Sequence, residues 1–306
     1  MWALNLLPVG RACLGGHQGL LTDGVAVHQW RAPPVDPCRK GETVVLKRFI
    51  GWNRNAAAWL EGHFPRIFGA PSYKAELERR IADDVARLTP SAILEVGGID
   101  RPLLRRGRGF TYIGLDIEEK PDCYRIYDRF VVQSIEQLVD VEADMLISIT
   151  LMEHVPDNKS AARSMFLALR PGGVMHHYIP SKWHPYSVAL RLVGPALQRS
   201  LIPHLRPSAV GLTGYPAFFD HCSPSEMAKL FRGQGFEQVD VMSFYRASDY
   251  FAFFLPAYLS VVLFENLCAA LNWRLFCSGF VVSAAKPTGQ RSDCEAGSTF
   301  LPITEL

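Results

Sequence analysis

From residue 91 onward, short apolar runs of strand length alternate with segments of helical spacing, and this rhythm constrains the fold more than any other feature. Ala92-Ile93-Leu94-Glu95-Val96 reads as a buried strand that stops at Gly97-Gly98. Thr111 to Leu115, Phe130 to Val132, Asp144 to Ile149 and Val174 to Ile179 repeat the pattern. Between the last two, Asn158 to Leu169 reads as a helix that stops at Arg170-Pro171-Gly172-Gly173. Continuous apolar strands separated by helices are strands covered on both faces, which means a doubly wound, mostly parallel α/β sheet. Val239, Val241, Ser243 and Tyr245 alternate as a sixth strand, and Phe280 to Ala284 make a seventh. Before the sixth, Ser223-Pro224-Ser225-Glu226 combines an N-cap serine, a first-turn proline and a capping-box glutamate.

The flanks divide accordingly. Residues 1–40 read as a poorly ordered leader, rich in Gly and Pro and lacking the basic start of a cleaved signal peptide. Residues 41–90 read as N-terminal helices packing on the core, the strongest carrying Tyr73, Leu77, Ile81, Val85 and Leu88. The α/β domain spans 91–286 with insertions at 181–222 and 250–276, and 287–306 is a polar tail expected to be disordered. A net charge of +2 offers no electrostatic footprint for nucleic acid. The seven cysteines are scattered, which suits free thiols in a reducing, cytoplasmic setting and gives no zinc spacing. His221-Cys222 has no companion ligands, so no metal site is expected.

A Gly-rich turn after a first strand lets backbone approach a ligand, with the next helix N-terminus as a polar platform. An acidic residue ending the second strand is placed to hold ribose hydroxyls. Glu95-Val96-Gly97-Gly98 and Asp116 fill those roles, but the GxGxxG of a dinucleotide binder is absent. The set ILEVGG, IGLD, ADMLISITLMEHV and LRPGG, at these separations, resembles the class I S-adenosylmethionine methyltransferases, clearly over 91–180 and more loosely over 223–286. The resemblance implies a Rossmann-like fold with S-adenosylmethionine as cofactor. Glu95, Gly97 and Gly98 would then line its methionine end, Asp116 would hold the ribose, and Ile117 would pack on adenine. Ser134, or Gln133 beside it, stands where the family often has an acid, and Ile149 to Glu153 would border the transferred methyl. The family's second glycine is displaced, because Ile99-Asp100 follows Gly98 directly.

An oxygen acceptor needs a base. His154, just past the fourth strand, and His184, in Ser181-Lys182-Trp183-His184-Pro185-Tyr186, are the catalytic candidates, while His176 and His177 read as structural. Residues 187–207 mix apolar side chains with Arg191, Arg199 and Arg206, and 250–276 are almost wholly apolar. Both read either as lid and core or as an interfacial patch at the inner membrane face. Methyltransferases with an apolar stretch between the last strands resemble those of surface-polysaccharide and lipid-linked sugar synthesis. O-methylation of a glycan, a lipid-linked sugar or a small hydrophobic acceptor is therefore the expectation. A catalytically silent partner subunit and an NAD-dependent oxidoreductase stay open as alternatives.

Overall fold

The computed structural model describes residues 39–69, 71–107, 109–194 and 216–289. Nearly all of the expected leader, most of the tail, and Arg199 and Arg206 lie outside the described residues. The chain divides into two compact units, Met1–Arg48 and Phe49–Leu306, and the sheet lies in the second. Helix α1 (Arg39–His63) is followed by the single turn α2 (Pro65–Phe68) and by α3 (Tyr73–Leu88), with a second single turn, α4 (Cys123–Ile126), further along the chain. Ser72 caps α3 by accepting the Ala75 N–H, and the i, i+4 pair Leu77 and Ile81 is buried against the sheet.

Seven strands form one sheet: β1 (Ala92–Val96), β2 (Thr111–Asp116), β3 (Arg129–Val132), β4 (Ala143–Ile149), β5 (Leu169–Pro180), β6 (Glu237–Phe244) and β7 (Gly279–Ala285). Their spatial order is β3-β2-β1-β4-β5-β7-β6. The first five are parallel, while β7 runs antiparallel between β5 and β6. A doubly wound dinucleotide binder instead has the order 3-2-1-4-5-6. The inserted β7 separates this chain from the oxidoreductase alternative.

The period of two in β1 assigns its side chains to two cores. Leu94 and Val96 join α5 (Asn158–Ala168) and α7 (Pro224–Gly233) on one face, where Met165, Met227 and Phe231 are buried. Ile93 faces α3 on the other, with Met145, Ile147 and Val281. Each such fully buried side chain contributes about 1.5–3 kcal/mol.

Three local readings need correction. The helix expected after the glycine turn does not form: no described residue between β1 and β2 is helical. This stretch, Arg101-Pro102-Leu103-Leu104-Arg105-Arg106-Gly107, has too few apolar residues at helical spacing for a helix to pack. Leu103, Leu104 and Phe110 cover the sheet from a loop instead. Arg170-Pro171-Gly172-Gly173 belongs to β5 rather than preceding it, as a register irregularity between Ala143↔Leu169 and Met145↔Val174. Ser223 does precede α7, yet its hydroxyl donates to Glu226 Oε2 at 2.5 Å instead of accepting a backbone N–H. Lys182 Nζ, 2.7 Å from Glu226 Oε1, draws that carboxylate away from the capping role.

The 250–276 insertion becomes a 3₁₀ turn (Ser248–Phe251), helix α8 (Leu255–Ala270) and another turn (Arg274–Phe276). In the other insertion, residues 185–194 are helical (α6). No helix among the described residues is long and apolar enough to cross a membrane.

Candidate active site

Parallel register brings the site together at one edge of the sheet. Val96 pairs with Leu115 on one side and with Ser148 on the other, so Gly97, Asp116 and Ile149 lie side by side at the strands' carboxyl ends. Gly97 N–H donates to Leu115 O at 2.9 Å, and Gln133 N–H donates to Asp116 O at 2.8 Å, which adds Ser134 to the row. The antiparallel pair follows the same edge. Pro180 of β5 faces Gly279 of β7, which faces Phe244 of β6, so both insertions leave the sheet here.

The glycine turn is bound from beneath. Gly97 has φ +82°, and a Cβ there would meet Leu151 Cδ1 at 3.0 Å. At Gly98 a Cβ would collide with the Tyr127 hydroxyl and meet Glu95 Cδ at 2.7 Å. Glu95 itself is fully buried, not exposed at the turn's surface. Its carboxylate accepts from Leu103 N–H at 3.0 Å, from Tyr127 OH at 3.2 Å, and from Tyr112 OH. Burial outweighs those donors and raises its pKa to about 7. Glu95 thus fastens the helix-less loop to the sheet. Ile99 stands where the family's glycine is expected, and its backbone is left-handed at φ +43°. A β-branched residue in that region costs roughly 1–2 kcal/mol. The strain is offset by packing of Ile99 on the α3-side core and by the Lys120–Asp100 pair at 3.0 Å.

Asp116 is partly exposed, and Oδ1 accepts the Glu118 N–H at 3.1 Å. Desolvation raises its pKa despite that donor. The neighbouring Ile117 is 62% exposed, an apolar surface beside a carboxylate. The Ser134 hydroxyl donates to Glu136 Oε2 at 3.0 Å. An acidic group therefore stands two residues beyond Ser134. The sequence reading missed Glu136, and its only signal was an acid close downstream of the third strand. A glycine cradle, an acid at the second strand end and an adjacent apolar side chain fit the ribose, adenine and methionine parts of S-adenosylmethionine.

Past β4 the chain makes a 3₁₀ turn, Met152–His154, entered through Thr150 at φ +52°. Glu153 points inward, 5% exposed, and its Oε2 has no hydrogen-bond partner among the described residues. Desolvation raises its pKa to about 8. The sequence reading placed Glu153 only at the border of the methyl. A lone carboxylate in an otherwise apolar strand end was the available signal for more. His154 is partly exposed, with Nδ1 2.8 Å from Pro216 O, so this nitrogen carries the hydrogen. Its Nε2 lies 3.7 Å from Glu153 Oε1, and burial lowers the imidazole pKa.

The structure places His184, the second candidate base, inside the protein. It is fully buried, Nδ1 accepts the Tyr186 N–H at 3.2 Å, and Nε2 faces Glu265 Oε1 of α8 at 3.2 Å. Both nitrogens are engaged within the protein, so the ring joins the two insertions. Tyr186 stacks on Tyr250 with centroids 3.7 Å apart and adds to that joint. His176 and His177 are buried in β5. His177 contacts Ser148 Oγ at 2.6 Å and is held neutral by burial, with a pKa of about 3. Among the described residues no group of three or more His, Cys, Asp or Glu could hold a metal ion.

The methyltransferase-domain family matches residues 73–241, more than half of the 306-residue chain. No curated protein matches. Solved structures similar to this chain include an S-adenosylmethionine-dependent methyltransferase from Archaeoglobus fulgidus, at 13% identity and TM-score 0.39, covering 68% of this chain and 94% of that one. Another is phosphoethanolamine N-methyltransferase 2 of Haemonchus contortus with S-adenosyl-L-methionine, at 13% identity and TM-score 0.41, covering 76% and 57%. A third is the Burkholderia thailandensis 1,6-didemethyltoxoflavin-N1-methyltransferase, at 15% identity and TM-score 0.38, covering 84% and 93%. With its strand order, its glycine turn with Asp116 alongside, and this family match, the chain belongs to the class I S-adenosylmethionine-dependent methyltransferases.

Proposed function

We propose that this methyltransferase acts on a hydroxyl of a hydrophobic or lipid-linked acceptor, a lipid-linked sugar or glycan being the favoured class, and that Glu153 takes the hydroxyl proton. When bound, S-adenosylmethionine supplies an electrophilic methyl on a sulfonium. The protein's own work is then alignment, exclusion of water and one proton transfer. Gly97 and Gly98 would receive the methionine end, Asp116 the ribose and Ile117 the adenine, with Ser134 and Glu136 at the base's edge. The observation that carries the reading is Glu153, a buried carboxyl just past β4 with one oxygen that has no partner among the described residues. A base whose pKa is held near the working pH is effective, because it is both available and strong. His154, neutral and 3.7 Å away, is placed to position the carboxyl and to pass its proton outward.

Replacing Glu153 with Gln keeps the shape and removes the proton acceptor. The expected result is a fall in kcat of roughly 10²–10⁴ with S-adenosylmethionine affinity unchanged. The assay is single-turnover methyl transfer to undecaprenyl-linked or other lipid-linked sugars, beside titration calorimetry for the cofactor. Normal turnover by Glu153→Gln would transfer the role to His154 or to water. A wild-type enzyme that methylates only water-soluble acceptors would end the hydrophobic-acceptor reading.

A further inference from the structure

Helix α8 is apolar around its whole circumference, yet only one side of it is used internally. Tyr258, Val261, Val262, Glu265 and Cys268 face inward. Leu259, Leu263, Leu267 and Leu271 recur every fourth residue on the outside, and Leu263 is 72% exposed. The segment packed on α8 repeats the arrangement. In α1, Ile50, Asn53 and Ala57 are buried, while Phe49, Trp52 and Trp59 are exposed, Trp52 by 64%. Exposed Phe64 and Ile67 follow at α2. The parts are fixed together: Asn53 Oδ1 accepts the Leu255 N–H at 2.8 Å, and Asn266 Nδ2 donates to Ile67 O at 2.9 Å. The second bond sets Ile67 beside the turn carrying Leu263 and Leu267.

The charges on these elements are one-sided. Between residues 49 and 68 the only carboxylate is Glu61, and it is tied to Arg246 at 2.5 Å and to Tyr258 OH at 2.9 Å. Between residues 254 and 276 the only one is Glu265, buried against His184. Arg54, Arg66 and Arg274 are the arginines of these stretches, Arg274 being held to Val241 O and Ser243 Oγ of β6. Exposed leucines and tryptophans on elements that also carry arginine, with Glu265 buried and the half-exposed Glu61 neutralised by Arg246, match an anionic lipid surface.

We infer that the outer faces of α1 (from Phe49), α2 and α8 dock on an anionic bilayer, at the same sheet edge as the active site. The occupant is the bilayer surface itself, with aromatic and leucine side chains in the headgroup region and no helix crossing it. This moves the interfacial patch from residues 187–207, much of which lies outside the described residues, to the N-terminal helices. The inference deepens the hydrophobic-acceptor reading, but its test needs no acceptor, so each can fail alone.

Flotation of the full chain with phosphatidylcholine vesicles, with and without phosphatidylglycerol, tests it. Wild type should rise with the anionic vesicles, and high salt should release part of it. The double change Leu263→Glu and Leu267→Glu should reduce partitioning by about tenfold or more. Its S-adenosylmethionine affinity should be unchanged, since both side chains are on the outside. Trp52→Ser is the independent second variant and should weaken flotation in the same direction. Wild type remaining at the bottom with both vesicles overturns the inference, as do variants that float like wild type. A concentration-dependent dimer abolished by the same double change would assign the face to a second copy instead.

Discussion

At the scale of single residues, the site works through how burial and donors set each carboxylate. Glu95, Asp116 and Glu153 lie along the same sheet edge, and desolvation raises all three pKa values. They differ in what faces them. Glu95 has three protein donors and is used structurally, whereas Glu153 Oε2 has none among the described residues. Asp116 remains partly open to a ligand. Two charge-assisted hydrogen bonds to ribose, each worth about 1.5–3 kcal/mol, are expected of it. Asp116→Ala should therefore weaken S-adenosylmethionine binding by roughly one to three powers of ten with the melting temperature nearly unchanged. Calorimetry giving equal affinity would show that the ribose is held elsewhere.

At the scale of elements, the carboxyl edge is built by loops and insertions rather than by helix N-termini. The loop after β1 is held by Glu95 and Tyr112, which accepts the Leu104 N–H at 3.1 Å. The insertions are held by His184 and Glu265, and Glu265 Oε1 also accepts the Ala247 N–H at 2.5 Å. Removing the imidazole would leave a buried carboxylate short of a donor. His184→Ala is thus expected to destabilise the fold by roughly 2–4 kcal/mol. Thermal melting should show the loss, and kcat per folded molecule should stay near normal. A selective collapse of kcat with an unchanged melt would instead restore His184 as a base. That the glycine turn and Asp116 lie at neighbouring strand ends was legible beforehand, because both follow directly on apolar runs of strand length. The fastening of the turn was not legible, since Tyr112 and Tyr127 reach Glu95 only once β2 and the loop before β3 lie beside β1.

At the scale of the whole molecule, buried carboxyls make stability depend on pH. The folded protein keeps protons on Glu95 up to about 7 and on Glu153 up to about 8, whereas the unfolded chain releases them near 4.5. Folding stability should therefore fall as pH rises from about 4.5 toward 8, by at most roughly 3–5 kcal/mol for each group. His177 acts in the opposite sense, because its folded pKa is about 3 against 6.5 unfolded, so its contribution is lost as pH falls below 6.5. Denaturant midpoints between pH 5 and 8 should decline in wild type, and Glu95→Gln should flatten the slope below pH 7. An unchanged slope in that variant would mean that Glu95 is ionised in the folded state.

The alternating strand and helix periods determined the layered α/β class by themselves, because buried strands and amphipathic helices have few ways to cover one another. The glycine turn, Asp116 and the apolar insertions were equally local, since each depends on residue type at one place in the chain. Tertiary structure alone decided that β7 runs antiparallel, that His184 is internal, and that Glu153 Oε2 has no partner among the described residues. The physical reason is common to all three. Burial and hydrogen-bond supply at a residue are set by side chains distant in sequence, and those meet only when the sheet closes.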